Sequence, residues 1–447
     1  MRTADPAAAA VADAAAAAED EEFAPLKAWL LQYCPKAAAA AKVARQNAAL
    51  RGVTAQEEKA APILMLRREP RHFTLASALT CLVGLALRRA GRSDGGSRAR
   101  GFVALLARLI GNALLATSGL AVLLRVAWSA LRFPRGPLRR SGPSPGKLAA
   151  LRTCTTHYRL RGAAHGPLVV LVHGFCGEAA HLDGVAEALL DAGATSPLGV
   201  RVLQFDTVGR GHSECPGRQA HRIELFVQQL LEVIEHALAD GVGEGAEVGV
   251  GAVHLVGYSM GGAIAAAFTE RYPARVGSLS LIAPAGAHER PPPRVVRVPL
   301  LSEVLWAVQG GGFLAGTDGA AGQWRDPWGA AASAERLRFE RRLALEPALL
   351  RSTLSTMQHF AFGAAAEGVW RAVGKDAKRP VLIVWGTDDA TCPFSGAAAL
   401  CKLLPRAELV ALDGAGHCAP LEPDGAVADA VAKFVTQAMA RGPGDLG

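Results

Sequence analysis

The sequence predicts an α/β fold: a mostly parallel sheet with helices on both faces and a helical cap, preceded by an apolar, basic N-terminal helical segment. Three observations predict it. Short apolar runs that read as buried strands recur, with stretches of helical periodicity between them. Three of these runs are followed at once by a residue able to do chemistry, Ser259, Asp389 and His417. Residues 287–378 separate two such strands, too long a stretch for a structureless loop inside a domain. The 447 residues exceed one ordinary domain, and half of them are apolar, so a large core with an appendage is expected.

Residues 1–66 are low in complexity. Alanine-rich tracts at 7–18 and 37–41 bracket the acidic cluster Glu19-Asp20-Glu21-Glu22. Alanine favours helix, but nothing here supplies a face to bury, so an isolated helix or disorder is expected. No apolar h-region follows Met1, which argues against a signal peptide, and the acids argue against an ordinary transit peptide.

Residues 67–132 read as a membrane-associating segment. Phe73 to Leu87 is uncharged and bounded by Arg67, Arg68 and Arg71 on one side and by Arg88 and Arg89 on the other. Leu109 to Leu124 lies between Arg108 and Arg125. Each core is shorter than the ~20 residues that span a bilayer, although edge arginines can snorkel. Two spans would leave basic flanks on both faces, against the positive-inside rule. One span around residues 102 to 131, or an interfacial hairpin, is therefore expected; a soluble helical subdomain is the alternative. Charge points the same way. The net charge is +8, yet Arg67 to Arg152 alone holds 16 Lys or Arg against Glu69 and Asp94. Arginine enrichment without interleaved aromatics is poor evidence for nucleic acid, so no nucleic-acid partner is expected; an anionic membrane surface is.

Residues 133–147, rich in Pro, Gly and Arg, form a linker by composition. The α/β core is assigned to 148–286 and 379–440, opening with a strand or hairpin arm at Cys154 to Leu160. Strands follow at Leu168–Val172, Val202–Asp206, Ala252–Val256, Leu279–Pro284, Pro380–Trp385 and Ala407–Leu412, and helices at Leu182–Leu190 and Ile223–Leu238. Gly241-Val242-Gly243-Glu244-Gly245 precedes a strand where a dinucleotide loop would follow one, so it reads as an insertion. The excursion 287–378 is expected to be a cap with helices near Leu300–Gln309, Ala334–Leu343 and Pro347–Phe362. Its aromatics Trp306, Phe313, Trp324 and Trp328 suggest an apolar lid.

Gly257-Tyr258-Ser259-Met260-Gly261-Gly262 sits between an apolar strand and a helical run. A serine on such a turn presents its hydroxyl at a helix N-terminus, where free N–H groups favour negative charge. Gly257 and Gly261 stand where side chains would crowd the turn, and Gly262 lets the helix pack closely. Upstream, the strand at Leu168–Val172 leads into His173-Gly174-Phe175. There the N–H of Phe175 can face the turn and, with the N–H of Met260, form an oxyanion hole. A serine needs a base in contact and the base an orienting acid. Asp388 and Asp389 both follow the strand at Pro380, and His417 follows the strand at Ala407.

With the Asp206-x-x-Gly-x-Gly-x-Ser213 turn, Trp385-Gly-x-x-Asp389-x-x-x-Pro393 and Gly416-His417, these stretches resemble the α/β-hydrolase family, in its serine esterase, lipase-like and monoacylglycerol-lipase-like members, over residues about 150–440. The resemblance implies Ser259 as nucleophile, His417 as general base and Asp389, rather than Asp388, as the orienting acid. It implies an oxyanion hole at Phe175 and Met260, with Gly174, Gly257 and Gly261 as loop and elbow glycines. Serine rather than aspartate at the elbow points to acyl transfer to water: a carboxylic ester, and the basic appendage favours a lipid ester with an apolar acyl group. A carbon–carbon hydrolase or lyase on the same triad, and a non-catalytic interaction or scaffold protein, are the alternatives.

The remaining polar residues are read as structural. His173 is a hydrogen-bonder, Asp206 and His212 hold a turn, His254 is a core histidine, and Glu422 opens the last helix with Pro423. His181, His221 and His359 lack metal-ligand spacing, so neither a metal nor a cofactor is expected. The eight cysteines show no C-x-x-C pair. Free thiols are expected, with the catalytic domain in a reducing compartment on the cytosolic side of a membrane.

Overall fold

A computed structural model of the chain describes residues 98–131, 136–140, 144–196, 199–217, 219–239, 252–289, 323–376 and 378–440, with Val83, Leu85, Pro292 and Val298. The expectations for residues 1–66, for Phe73 to Leu87 apart from Val83 and Leu85, for the 241–245 insertion and for a helix near Leu300–Gln309 lie outside the described residues.

The first described helix, α1 (Arg98–Leu131), precedes the sheet. The span expected around residues 102 to 131 is not supported, because among the described residues no helix is long and apolar enough to cross a membrane. Arg108, Asn112, Thr117, Ser118 and Arg125 punctuate the stretch. The Thr117 and Ser118 hydroxyls donate back to helix carbonyls of Ala113 and Leu114. Leu105, Leu109 and Leu123 nevertheless stand exposed.

The sheet begins with a hairpin, β1 (Lys147–Ala150) and β2 (Thr155–Gly162), paired antiparallel with Leu148 opposite His157. Then come β3 (Leu168–Val172), helix α2 (Asp183–Ala194), β4 (Arg201–Phe205) and α3 (Ile223–Ala239). The elbow joins β5 (Val253–Tyr258) to α4 (Met260–Arg271), and β6 (Val276–Ile282) follows. The excursion supplies α5 (Ala330–Leu345), α6 (Pro347–His359) and α7 (Glu367–Gly374). The chain closes with β7 (Val381–Gly386), α8 (Ser395–Leu403), β8 (Ala407–Leu412) and α9 (Ala426–Ala440).

The strand order is β1-β2-β4-β3-β5-β6-β7-β8. β2 pairs antiparallel with β4, and every pairing from β4 to β8 is parallel. Every residue of β3, β5 and β7 is buried, which is why these strands read as unbroken apolar runs rather than as alternation. Alternate side chains still serve different faces. Val170 and Val172 pack with Phe226 and Leu230 of α3 and with Ile264 of α4, while Val169 and Leu171 pack with Val185 and Leu189 of α2 and Val431 of α9. Trp370 of α7 lies on the first of these faces, its indole N–H donating to the Gly286 carbonyl at 2.7 Å. His254, on β5, bonds Ser278 Oγ at 2.8 Å.

Parallel strands place their C-terminal ends along one rim, where α/β sheets build sites. The rim depends on β5 staying in register. Leu255 is fully buried at its centre. Leu255→Ala is expected to cost about 2–5 kcal/mol of stability, read as a lower urea midpoint at unchanged slope.

Candidate active site

Ser259 stands between β5 and α4 with φ 55° and ψ −120°. A non-glycine residue is strained there, and the surroundings must hold it. Its N–H donates to the Ile282 carbonyl at 2.9 Å and its carbonyl accepts from Gly262 and Ala285. Two glycines make the turn possible. A Cβ on Gly257 would lie 2.4 Å from the Gly261 carbonyl oxygen, and one on Gly261 would lie 2.0 Å from the Val172 oxygen. A Cβ on Gly174 would stand 3.0 Å from Cβ of Ser259, so the loop after β3 reaches the turn only because it carries glycine there.

The structure brings three dispersed side chains together. His417 Nε2 lies 2.9 Å from Ser259 Oγ, and His417 Nδ1 lies 2.7 Å from Asp389 Oδ2. The other carboxylate oxygen of Asp389 accepts from the N–H groups of Thr391 and Cys392, both at 2.8 Å. All three residues are buried. Asp388 is exposed, and among the described residues its carboxylate accepts a hydrogen bond from the Thr387 hydroxyl. The Tyr258 hydroxyl donates to the His417 carbonyl at 3.0 Å and anchors the histidine loop to the sheet. Burial holds that hydroxyl well above the ordinary tyrosine range, so it stays a donor.

Phe175 lies in the loop after β3 and Met260 is the first residue of α4, directly after Ser259. Among the described residues neither N–H is matched to a backbone acceptor. The loop bearing Phe175 is held by buried polar groups. Thr207 N–H donates to His173 Nε2 at 2.9 Å, which leaves the Nδ1 proton for the Gly174 carbonyl, also at 2.9 Å. Acceptance at Nε2 needs a neutral ring, and burial pushes the His173 imidazole down to about 3. Asp206 accepts from Ala179 N–H and His212 N–H and meets His157 Nδ1 at 2.7 Å. Burial alone would raise its carboxyl; the hydrogen bond and charge of His157 bring it to about 2.

Further side chains pack around these loops. Arg210 is fully buried, and among the described residues it has no carboxylate within ion-pair distance. Its guanidinium lies over the rings of Phe175 and Phe226 and donates to the Val208 carbonyl and to Thr356 of α6. Cys176 adopts φ 59°, and its thiol meets the Thr353 hydroxyl of α6. Glu422 does not open the last helix. That helix begins at Ala426, whose N–H is taken by Asp424, and Glu422 instead accepts the Arg325 N–H at 2.6 Å. The Asp206 motif pointed to a turn around Arg210, whereas nothing in the sequence marks the Glu422–Arg325 contact. Burial raises the Cys418 and Cys176 thiols, which leaves them poor nucleophiles beside the site. Among the described residues no cluster of His, Cys, Asp and Glu side chains has the makings of a metal site.

A family model described as "alpha/beta hydrolase fold" matches residues 167–424. The dihydrolipoyllysine-residue acetyltransferase component of an acetoin cleaving system from Pseudomonas putida is 28% identical over 307 residues, 64% of this chain and 68% of that protein. A 2-hydroxy-6-oxononadienedioate/2-hydroxy-6-oxononatrienedioate hydrolase of Paraburkholderia phymatum is 29% identical over 286 residues, 60% of this chain and 85% of that protein. Among solved structures, an enol-lactonase from Burkholderia xenovorans gives a TM-score of 0.51 at 22% identity, covering 65% of this chain and all of the other, a likeness of fold alone.

The buried neutral histidines predict an acid-sensitive fold. Burial lowers His173 and His221 to about 3 and His254 to about 4, from 6.5. The unfolded chain therefore binds more protons between pH 6.5 and the folded values. Stability is whole above pH 6.5 and falls with pH by up to about 1.4 kcal/mol per unit for each ring. Asp206, depressed from 3.8 to about 2, adds a further loss below pH 4. Urea titrations at pH 7 and pH 5 should show the drop, and His254→Gln should flatten it by about one proton's worth. A flat profile would refute the neutral-ring assignment.

Proposed function

The chain belongs to the α/β-hydrolase fold family, and on that premise we propose that it is a serine hydrolase that cleaves a carboxylic ester with an apolar acyl group through an acyl-enzyme. One observation carries the reading: the unbroken hydrogen-bonded series Asp389–His417–Ser259, at 2.7 and 2.9 Å. Asp389 takes the Nδ1 proton of His417 as a hydrogen bond, which leaves Nε2 free to act as base. The Ser259 hydroxyl loses its proton to Nε2 as Oγ attacks the acyl carbon. The new oxyanion faces the N–H groups of Phe175 and Met260, each such donor contributing about 3 kcal/mol of transition-state stabilisation. His417 then hands the proton to the leaving alcohol. In the second half a water, deprotonated by the same ring, releases the acid and restores the serine.

The aromatic surroundings of Phe175 favour apolar acyl groups. Phe362 packs against its ring edge-to-face, and Phe360 stands next to Phe362. The exposed leucines of α1, together with the arginine-rich sequence of residues 67–132, favour contact of that segment with an anionic membrane surface. The free thiols Cys154, Cys176, Cys215, Cys392, Cys401 and Cys418 favour a reducing, cytosolic-side compartment for the catalytic domain.

A second reading, hydrolysis of a carbon–carbon bond, is favoured by the match to the Paraburkholderia oxononadienedioate hydrolase over 286 residues. An ester chain-length series assayed beside a vinylogous diketone discriminates the two. Ester turnover that rises with acyl length supports the first reading, and turnover of the diketone alone supports the second.

The serine chemistry is tested by a fluorophosphonate probe. Wild type should be labelled and Ser259→Ala should not; labelling of both would refute the assignment. Asp389→Asn should lower kcat by about 10³- to 10⁴-fold, because an amide at that position favours the wrong imidazole tautomer. Asp388→Asn, at an exposed carboxylate, should stay within about twofold of wild type.

A further inference from the structure

The loops that carry Asp389 and His417 are bridged by one side chain from the excursion between β6 and β7. Gln323 donates through Nε2 to the Thr391 hydroxyl at 3.1 Å and accepts from the Cys418 thiol through Oε1 at 3.6 Å. Its carbonyl also accepts the Cys418 N–H at 2.6 Å. Thr391 is the residue whose own N–H holds Asp389 Oδ1, and Cys418 follows His417 directly.

Two further features keep this segment in place. Arg325 donates its N–H to Glu422 at 2.6 Å and sets its guanidinium 3.0 Å from Asp424 and 3.8 Å from Glu422. The histidine loop makes room for the segment with a glycine. A Cβ on Gly416 would lie 2.4 Å from the Gln323 carbonyl carbon and 2.6 Å from the Trp324 nitrogen. The backbone of Gly416 does not itself lie in the left-handed region, so the close approach is the reason a side chain is excluded. Tyr258 grips the same loop from the sheet side. The imidazole is thus located between a contact from the core and a contact from the excursion.

We infer that Gln323 is a positioning residue for the reaction, a clamp that holds the acid loop and the histidine loop at the spacing the triad needs. The inference rests on the serine-hydrolase reading above. Gln323 touches neither the serine nor the acid. It acts through Thr391 on the carboxylate and through Cys418 on the imidazole. Loss of the clamp leaves the substrate pocket in place and loosens the Asp389–His417 distance. It should therefore lower kcat without raising KM.

The test uses the full chain with a short, soluble ester and a small fluorophosphonate that needs no acyl pocket. Gln323→Ala and Thr391→Val remove the same hydrogen bond from its two ends, and Thr391 is exposed, so the second variant leaves the fold unburdened. Each should lower kcat and the inactivation rate constant together by about three- to tenfold, with KM within about twofold. The double variant should be no slower than Gln323→Ala alone, since both changes break one link. Gly416→Ala, which drives the segment off the loop, should be slower than either. Unchanged kcat and inactivation rate in Thr391→Val, or a change confined to KM, would overturn the clamp while leaving the hydrolase reading intact. Failure of the reagent to label wild type would sink both.

Discussion

The turn at Ser259 is the constraint on which the rest of the site depends. A serine at φ 55° and ψ −120° is held against its own backbone preference. It stays there because the turn is packed from beneath and beside without side chains. Gly261 meets the Val172 carbonyl, Gly257 meets Gly261, and Gly174 lets the next loop close in. The strain delivers two things at once. The hydroxyl comes within 2.9 Å of His417 Nε2, and α4 starts at the very next residue. A relaxed turn would lose both together.

Around this turn the protein uses buried polar groups as spacers. His173, neutral by burial, links the Phe175 loop to Thr207 through one nitrogen and to Gly174 through the other. Asp206 fastens the start of the Ala179 turn and the His212 turn. Arg210 lies under Phe175 and reaches α6. The position of the Phe175 loop therefore depends on buried groups behind it.

Strand and motif were legible in the sequence to different depths. β3 is readable to the residue because it is a continuous apolar run, and β8 because its apolar residues, interrupted only by Glu408, end at the polar turn Asp413-Gly414. β1 was missed, since four edge residues with one buried position carry no pattern. α7 was missed because Gly368 and short length weaken its helical signal, although Trp370 is among the most deeply buried side chains. The span expected near residue 102 failed on its polar interruptions. Position beside Pro423 makes Glu422 look like a helix opener, yet its partner, Arg325, lies far away in the chain. Contacts between distant segments leave no local trace.

What the sequence determined by itself was the fold class and the chemical identity of the candidate residues. Apolar periodicity fixes strands and helices locally, and a glycine-flanked serine before a helix is a local statement. What only the tertiary structure decided was distance. The resemblance already points to Asp389 over Asp388; the physical ground is that the Asp389 carboxylate is buried against His417 Nδ1 while Asp388 faces water. The contacts of Gln323 with Thr391 and Cys418 exist only because the excursion folds back over the rim. Hydrogen bonds act over about 3 Å, and no rule of spacing along a chain can bring residues that near; packing does.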